Sequence, residues 1–318
     1  MIVVTGGAGF IGSNLIRGLN AMGERDILLV DNLHNGQKVH NIADLDIADY
    51  MDKNQFIELI TAPGSIKGIR AVFHQGACST TTEWDGRYMM GNNYDYSKRL
   101  LHSCCPKNIP FIYASSASVY GTGEHGFKVE RRCERPINMY AYSKFQFDQY
   151  VRSILPKTTC PIAGFRYFNV YGPREQHKVG MSSPAYQFNQ QIIKQKKARL
   201  FTGTDGFGNG EQQRDFIYVD DVVNVNLWFL AHPEQRGIYN VGTGKAATFN
   251  AVAEAVIAWH GQGVIEYIPF PESLKGAYQS YTQADIDSLR QAGYGKEFLT
   301  VEQGVSRYLA WLNAGVSQ

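Results

Sequence analysis

The chain has 318 residues, 44% apolar and 19% charged, as in a soluble globular protein with room for one large or two modest cores. Lys and Arg total 31 against 29 Asp and Glu, and the net charge of +2 gives no electrostatic case for nucleic acid or an anionic membrane. The five cysteines (78, 104, 105, 133, 160) fit no metal or redox spacing, no apolar run approaches the ~20 residues of a membrane helix, and no basic leader precedes the first apolar run, so reduced thiols in the cytoplasm are expected.

Residues 1–5 are an unbroken, mostly β-branched run that predicts a buried parallel strand. Gly6-Gly7-Ala8-Gly9-Phe10-Ile11-Gly12 follows at once, and residues 13–22 carry apolar positions at helical spacing. Glycines between a strand and a helix fit the dinucleotide fingerprint: Gly7 for the tight turn, Gly9 for approach of a pyrophosphate, Gly12 for close helix packing. A second strand at 27–30 ends in Asp31, placed to accept from the adenosine ribose hydroxyls and favouring NAD over NADP. Lys38 and Lys53 lie beyond it, where a 2′-phosphate would sit, and pull toward NADP. Residues 45–47 are a candidate third strand, with Asp46 near the adenine. Strands at 71–74 and 111–114 run into Gln75-Gly76-Ala77 and Ser115-Ser116-Ala117-Ser118, and His74 reads as a packed histidine. A sixth strand covers 161–168, and 169–173 reads as a loop. Beyond it lie a glycine-rich, exposed loop at 203–213, a strand at 215–219 with Asp220 as helix cap, and a strand near 238–242. A final helix is predicted from Thr300, with Gln303 completing a capping box.

Strand and helix alternate through residue 168, which demands a parallel sheet covered on both faces. The predicted class is α/β: a Rossmann doubly wound sheet from 1–168 plus about 215–242, with a smaller C-terminal α/β domain from 169–214 and 243–318. In such sheets ligands lie at the carboxyl ends of strands. Tyr140 and Lys144 lie one turn apart, where a nearby ammonium favours the phenolate. Tyr94 and Lys98 repeat that spacing. Position separates them: Tyr140 opens the helix after the Ser116 strand end, whereas Tyr94 has no hydroxyl partner in view.

The glycine segment, Ser116 in Ser-Ala-Ser-Val-Tyr-Gly, Tyr140-x-x-x-Lys144, residues 166–173 (RYFNVYGP) and 214–221 (RDFIYVDD) together resemble the extended short-chain dehydrogenase/reductase family. Asp31-Asn32-Leu33, residues 43–53, 82–86, 173–178 (PREQHK) and 274–279 (LKGAYQ) are similar to its ADP-L-glycero-D-manno-heptose 6-epimerase branch. This resemblance implies epimerisation at C6 of an ADP-heptose, for lipopolysaccharide core synthesis, through a transient ketone. It implies bound NADP, with NAD the alternative, and a homo-oligomer, a pentamer. It places Tyr140 and Lys178 as opposed proton-transfer groups, with Lys144 and Ser116 in support. It assigns the cofactor to Gly6, Gly9, Phe10, Ile11, Gly12, Asp31, Asn32, Lys38, Lys53, Gln75, Gly76, Ala77, Cys78, Ser79, Asn92, Lys144, Val170 and Lys178. It assigns the substrate to Ser116, Asn169, Gly180, Gln187, Phe201, Thr202, Gly203, Thr204, Arg214 and Tyr278, with Arg214 as pyrophosphate clamp. Dehydratases of the family place acids directly after the active-site hydroxyl; here Ala117 and Ser118 stand there. A UDP-sugar 4-epimerase needs the same Ser, Tyr and Lys and is the competing assignment. A cofactor-sensing protein is disfavoured because all three are kept.

Overall fold

The computed structural model describes residues 1–62, 68–272 and 278–314. Strands β1 (Ile2–Thr5), β2 (Ile27–Asp31), β3 (Asp49–Asp52), β4 (Ala71–His74), β5 (Phe111–Ser116), β6 (Ile162–Tyr167) and β11 (Gly237–Val241) form one parallel sheet. Its order is β11-β6-β5-β4-β1-β2-β3, so the winding reverses between β1 and β4. Three small pairs accompany it: β7 (Asn169–Tyr171) with β10 (Phe216–Tyr218), β8 (Lys197–Phe201) with β13 (Val264–Ile268), and β9 (Gln213–Arg214) with β12 (Ala247–Thr248). The helices are α1 (Phe10–Ala21), α2 (Lys53–Thr61), α3 (Gly86–Met89), α4 (Tyr96–Cys104), α5 (Met139–Ile154), α6 (Pro184–Gln195), α7 (Val219–Ala231), α8 (Phe249–His260), α9 (Asp287–Gln291) and α10 (Val301–Asn313). None is long and apolar enough to cross a membrane among the described residues.

The central strands are mostly apolar because both faces are covered. Successive side chains alternate between faces. Ile2 and Val4 pack with Leu15, Ile16 and Leu19 of α1 and with Val222 and Phe229 of α7. Val3 points the other way, toward Phe56, Leu100, Leu101 and Phe147 of α2, α4 and α5. Each such side chain contributes roughly 1.5–3 kcal/mol on burial. A third cluster joins Phe188 and Ile192 of α6, Val252 and Val256 of α8, and Val305 and Leu309 of α10 to Leu200 and Phe216. It forms the smaller C-terminal layer. The capping box at Thr300 and Gln303 is present as expected. Leu289 of α9, with Tyr294 beyond it, joins the sheet's cluster instead.

Several boundaries differ from expectation. Residues 45–47 form no strand; β3 lies at 49–52, where Leu28 pairs with Asp49. That strand is a polar edge, so apolar periodicity could not mark it. Asp46 is exposed and ion-pairs with Arg25 at 3.1 Å. The first helix begins at Phe10 instead of residue 13. The stretch read as a loop at 169–173 contains β7, paired in register with β10. Asp220 caps nothing: α7 starts at Val219, and Asp220 sits in its first turn bonded to Arg17. Residues 274–277 of the motif at 274–279 lie outside the described residues.

Candidate active site

A cleft of about 550 Å³ opens at the carboxyl ends of the strands, where the winding reverses. All the cofactor candidates line it, from Gly6 to Lys178. The glycine turn sets its floor. Gly6 has φ +66°, and a Cβ there would meet the Gly76 backbone at 2.6 Å. The tight turn is therefore made by Gly6 and not, as the spacing predicts, by Gly7. A Cβ on Gly12 would lie 2.1 Å from the Gly6 carbonyl, so helix and turn touch only because residue 12 is glycine. Gly9 is the N-cap of α1 with no side-chain cap. The first N–H groups of the helix thus face the cleft with the positive end of its dipole, a setting for a pyrophosphate. These features fit a dinucleotide.

At the adenosine end, Asp31 is already engaged. Its carboxylate accepts from the N–H of Ala8 at 3.1 Å and of Asn32 at 2.8 Å, and pairs with Lys38 at 2.9 Å. Lys53 donates to Asn92. Asn92 sits in a π-helical segment, Met90–Asp95, between α3 and α4. The wide turn presents two successive side chains inward, a recurrent device at functional sites. Asn92 faces the cleft. Asn93 bonds the Cys78 backbone and donates to Ser143 of α5 at 3.0 Å. The decoy pair next to it is structural: Lys98 Nζ lies 4.9 Å and 4.8 Å from the rings of Tyr94 and Tyr150.

Ser116, Tyr140 and Lys144 converge on the same cleft. Asn138 caps α5 by accepting from the Ala141 N–H, which starts the helix so that Tyr140 opens into the cleft. Lys144 is buried and donates to the Ala114 carbonyl at 2.7 Å. Burial brings its pKa down to about 8, with the Asp148 carboxylate opposing. Burial pushes the Tyr140 phenol up, against a hydrogen bond with Ser116. The phenol is thus raised here, not lowered as the spacing predicts, because desolvation outweighs the hydrogen bond with Ser116. Tyr140 accordingly stands protonated at neutral pH. His74 is buried between Thr5 and Ser97, and burial holds it neutral, with a pKa of about 3. It is a packed histidine, as expected.

Lys178 reaches the cleft from another wall. Its Nζ lies 5.3 Å from the centre of the Phe10 ring, at the start of α1. Burial lowers its pKa, with Glu175 opposing. The N-terminal end of α1 also disfavours a cation there.

The substrate candidates divide. Phe201 and Tyr278 flank Phe270, with ring centres 5.5 Å apart for Phe201–Phe270 and 5.2 Å for Phe270–Tyr278, and Arg214 joins them through Tyr278. Arg214 is buried, stacks 4.8 Å from the Tyr278 ring, and among the described residues forms no ion pair. It donates a hydrogen bond to the neighbouring Gln213 carbonyl. A buried guanidinium without a carboxylate is suited to a phosphate. Thr202 accepts from the Phe270 N–H, and Gly203 and Thr204 continue the loop. Asn169, Gly180 and Gln187 are exposed and join neither group; Gln187 turns back to the Ser182 carbonyl at 2.7 Å. Arg214→Ala is expected to raise the KM for a nucleotide sugar ~10–100-fold, the range of a charge-assisted phosphate contact, with kcat less affected. Steady-state kinetics check this.

One functional feature escaped the sequence reading. Arg166 is fully buried and donates to Asp148 at 2.8 Å, to Tyr120 at 2.9 Å and to Glu134 at 2.5 Å. Asp148 also accepts from Ser115 and Tyr113, both at 2.9 Å. The network locks β5, α5 and β6 together directly behind Ser116, Tyr140 and Lys144. The one signal for it was an acid four residues past Lys144.

A glycine-floored cleft at the switch point of a parallel sheet defines a dinucleotide-binding fold. The profile of the NAD dependent epimerase/dehydratase family matches residues 2–242, and the chain belongs to that family. Among solved structures, the ADP-L-glycero-D-manno-heptose-6-epimerase of Helicobacter pylori is 30% identical, with a TM-score of 0.84 over 98% of this chain and 96% of that one. The UDP-glucose 4-epimerase of Thermotoga maritima with UDP-glucose is 26% identical, with a TM-score of 0.82 over 99% of both chains. The UDP-glucose 4-epimerase of Thermus thermophilus with NAD is 26% identical, with a TM-score of 0.78 over 97% of both.

Proposed function

We propose that the protein converts ADP-D-glycero-D-manno-heptose to its L-glycero epimer at C6, through a transient ketone, with a nicotinamide dinucleotide retained throughout. The observation that carries this reading is a pair of candidate proton-transfer groups on separate walls of one cleft. Tyr140 stands on α5, and Lys178 over the start of α1. A ketone reduced from either face needs a proton source on either side, whereas a plain dehydrogenase needs one. The similarity to the Helicobacter pylori enzyme supports the heptose as substrate.

When bound, the dinucleotide supplies reversible hydride exchange at the carbinol carbon. The chain's own groups handle the oxygen. Ser116 donates a hydrogen bond to it. Tyr140 gives or takes its proton through the phenol oxygen, and the Lys144 ammonium supports the phenolate. Lys178 Nζ exchanges the proton when the sugar presents its other face. Arg214 holds the pyrophosphate and leaves the sugar free to turn.

The likeness to UDP-glucose 4-epimerases supports a second reading, an NAD(P)-dependent epimerase of another nucleotide sugar. Incubation with ADP-D-glycero-D-manno-heptose and, separately, with UDP-galactose decides between them. Conversion of the heptose alone is expected; conversion of UDP-galactose alone overturns the proposal.

For the cofactor, the engaged and charge-compensated state of Asp31 supports NADP. Its oxygens are occupied by backbone N–H groups and by Lys38, so its negative charge is offset where a 2′-phosphate would lie. Lys38→Ala is expected to weaken NADP binding ~10-fold while leaving NAD within about twofold. Calorimetry with both dinucleotides reads the difference, and an equal loss for the two refutes the assignment.

A further inference from the structure

The backbone of Arg174 is left-handed, with φ +73°, a region that residues other than glycine rarely enter. Its guanidinium is also buried, 3% exposed, and a buried cation requires a partner. One contact set supplies partners for both terminal nitrogens of the fork, while Nε makes no hydrogen bond. Nη1 donates to the Asn41 carbonyl, and the fork donates to both oxygens of Asp44 at 2.9 and 2.7 Å. The Asp44 side chain is 67% exposed, so the pair is not part of a core. Instead the fork reaches from one segment to grasp the rim of another.

Further bonds run beside it. Asn41 Nδ2 lies 3.1 Å from His177 Nδ1 and donates to the Ala8 carbonyl at 3.0 Å. Asn14 of α1 donates to the Pro173 carbonyl at 2.8 Å. Asn41 closes the turn Gly36–Asn41, which carries Lys38. Arg174 and His177 belong to the segment that ends in Lys178. The turn at the adenosine end and the segment bearing Lys178 are therefore joined by a charged fork and a side-chain amide.

We propose that Arg174, Asp44 and Asn41 are positioning residues: they hold the Lys178 amine over the start of α1 and make its placement depend on the turn that carries Lys38. This rests on the role given to Lys178 above. The groups that face that amine are Glu175 on its own segment, the Phe10 ring, and His177, which itself lies near Lys38 and Asp31. With the clamp cut, the segment loosens, water reaches the amine, and its affinity for a proton returns toward that of a free lysine, ~10.4.

The test uses the full-length protein and the variants Asp44→Asn, Asp44→Glu and Lys178→Met. Acetic anhydride labelling across pH, read by peptide mass spectrometry, gives the titration midpoint of Lys178 and needs no substrate. Turnover of ADP-D-glycero-D-manno-heptose is measured beside it, with thermal unfolding as a check on folding. Asp44→Asn is expected to raise the labelling midpoint by about one pH unit and to lower kcat ~10-fold with KM within about twofold. Asp44→Glu is expected to restore both, because it can still accept the fork. An unchanged midpoint and kcat in Asp44→Asn, with Lys178→Met inactive, overturns the clamp alone. Losses that Asp44→Glu does not restore also overturn it, since they mark a merely structural role. Full activity in Lys178→Met overturns the role of Lys178, and the clamp's purpose with it.

Discussion

Tyr140→Phe is expected to lose roughly 10²–10⁴-fold in kcat while binding dinucleotide normally, the range of a positioned acid–base group. Phenylalanine keeps the ring and its packing and removes only the hydroxyl. The glycine turn, Asp31 and Lys38 do not depend on that atom. Desolvation keeps the phenol protonated at neutral pH. In the proposed mechanism its action as a base relies on the Lys144 ammonium, one helical turn away. Below about pH 8 Lys144 carries its proton; above it the charge is lost. Turnover is expected to fall as pH rises through that value. The measurements are epimer formation by NMR and the dinucleotide content of the denatured protein. Activity within a few-fold of the parent refutes the role.

Lys178→Met is expected to reduce kcat by ~10²-fold or more, again with the cofactor retained. Methionine matches the stem and can still lie against Phe10, so the change removes chiefly the amine. The sign of the pH effect follows from the lowered pKa of Lys178. A buried amine yields its proton at lower pH than a free lysine, so its base form is available earlier. The parent is expected to show a titration limb that the variant lacks. If the profiles coincide and activity survives, a second proton-transfer group on that wall is not used.

Much of this arrangement was legible in the residues. The cofactor wall was, because glycines between a β-branched strand and an amphipathic helix carry both geometry and chemistry. Tyr140 was separable from Tyr94 only by its place after a strand end, and the structure puts Tyr94 against Lys98 and Tyr150 instead. The smaller C-terminal layer and its last helix were legible, but its other helices were missed. Its helices α6 and α8 are packed by contacts with one another and with α10, and such contacts leave little local signature. The polar edge strand β3 and the first-turn Asp220 show a related limit: an edge and a cap are defined by hydrogen-bond partners, which periodicity does not report. Arg166 illustrates the strongest case. A charged residue in an apolar strand reads as an anomaly until Asp148 and Glu134, 18 and 32 positions away, are seen around it.

The central sheet takes its last strand, β11, from far down the chain, beside β6. This order has a consequence for how the molecule is made. When β6 has been synthesised, its outer edge has no neighbour, and all six of its residues are of the fully buried type. Residues 168 to 236 must all emerge before the missing strand arrives. During that interval the nascent chain exposes an unpaired strand edge, the kind that pairs with other chains. A fragment ending near residue 168 would keep that edge permanently. Residues 1–168 are therefore no separable cassette: the sheet is completed by a strand encoded after α6 and β8 of the C-terminal layer.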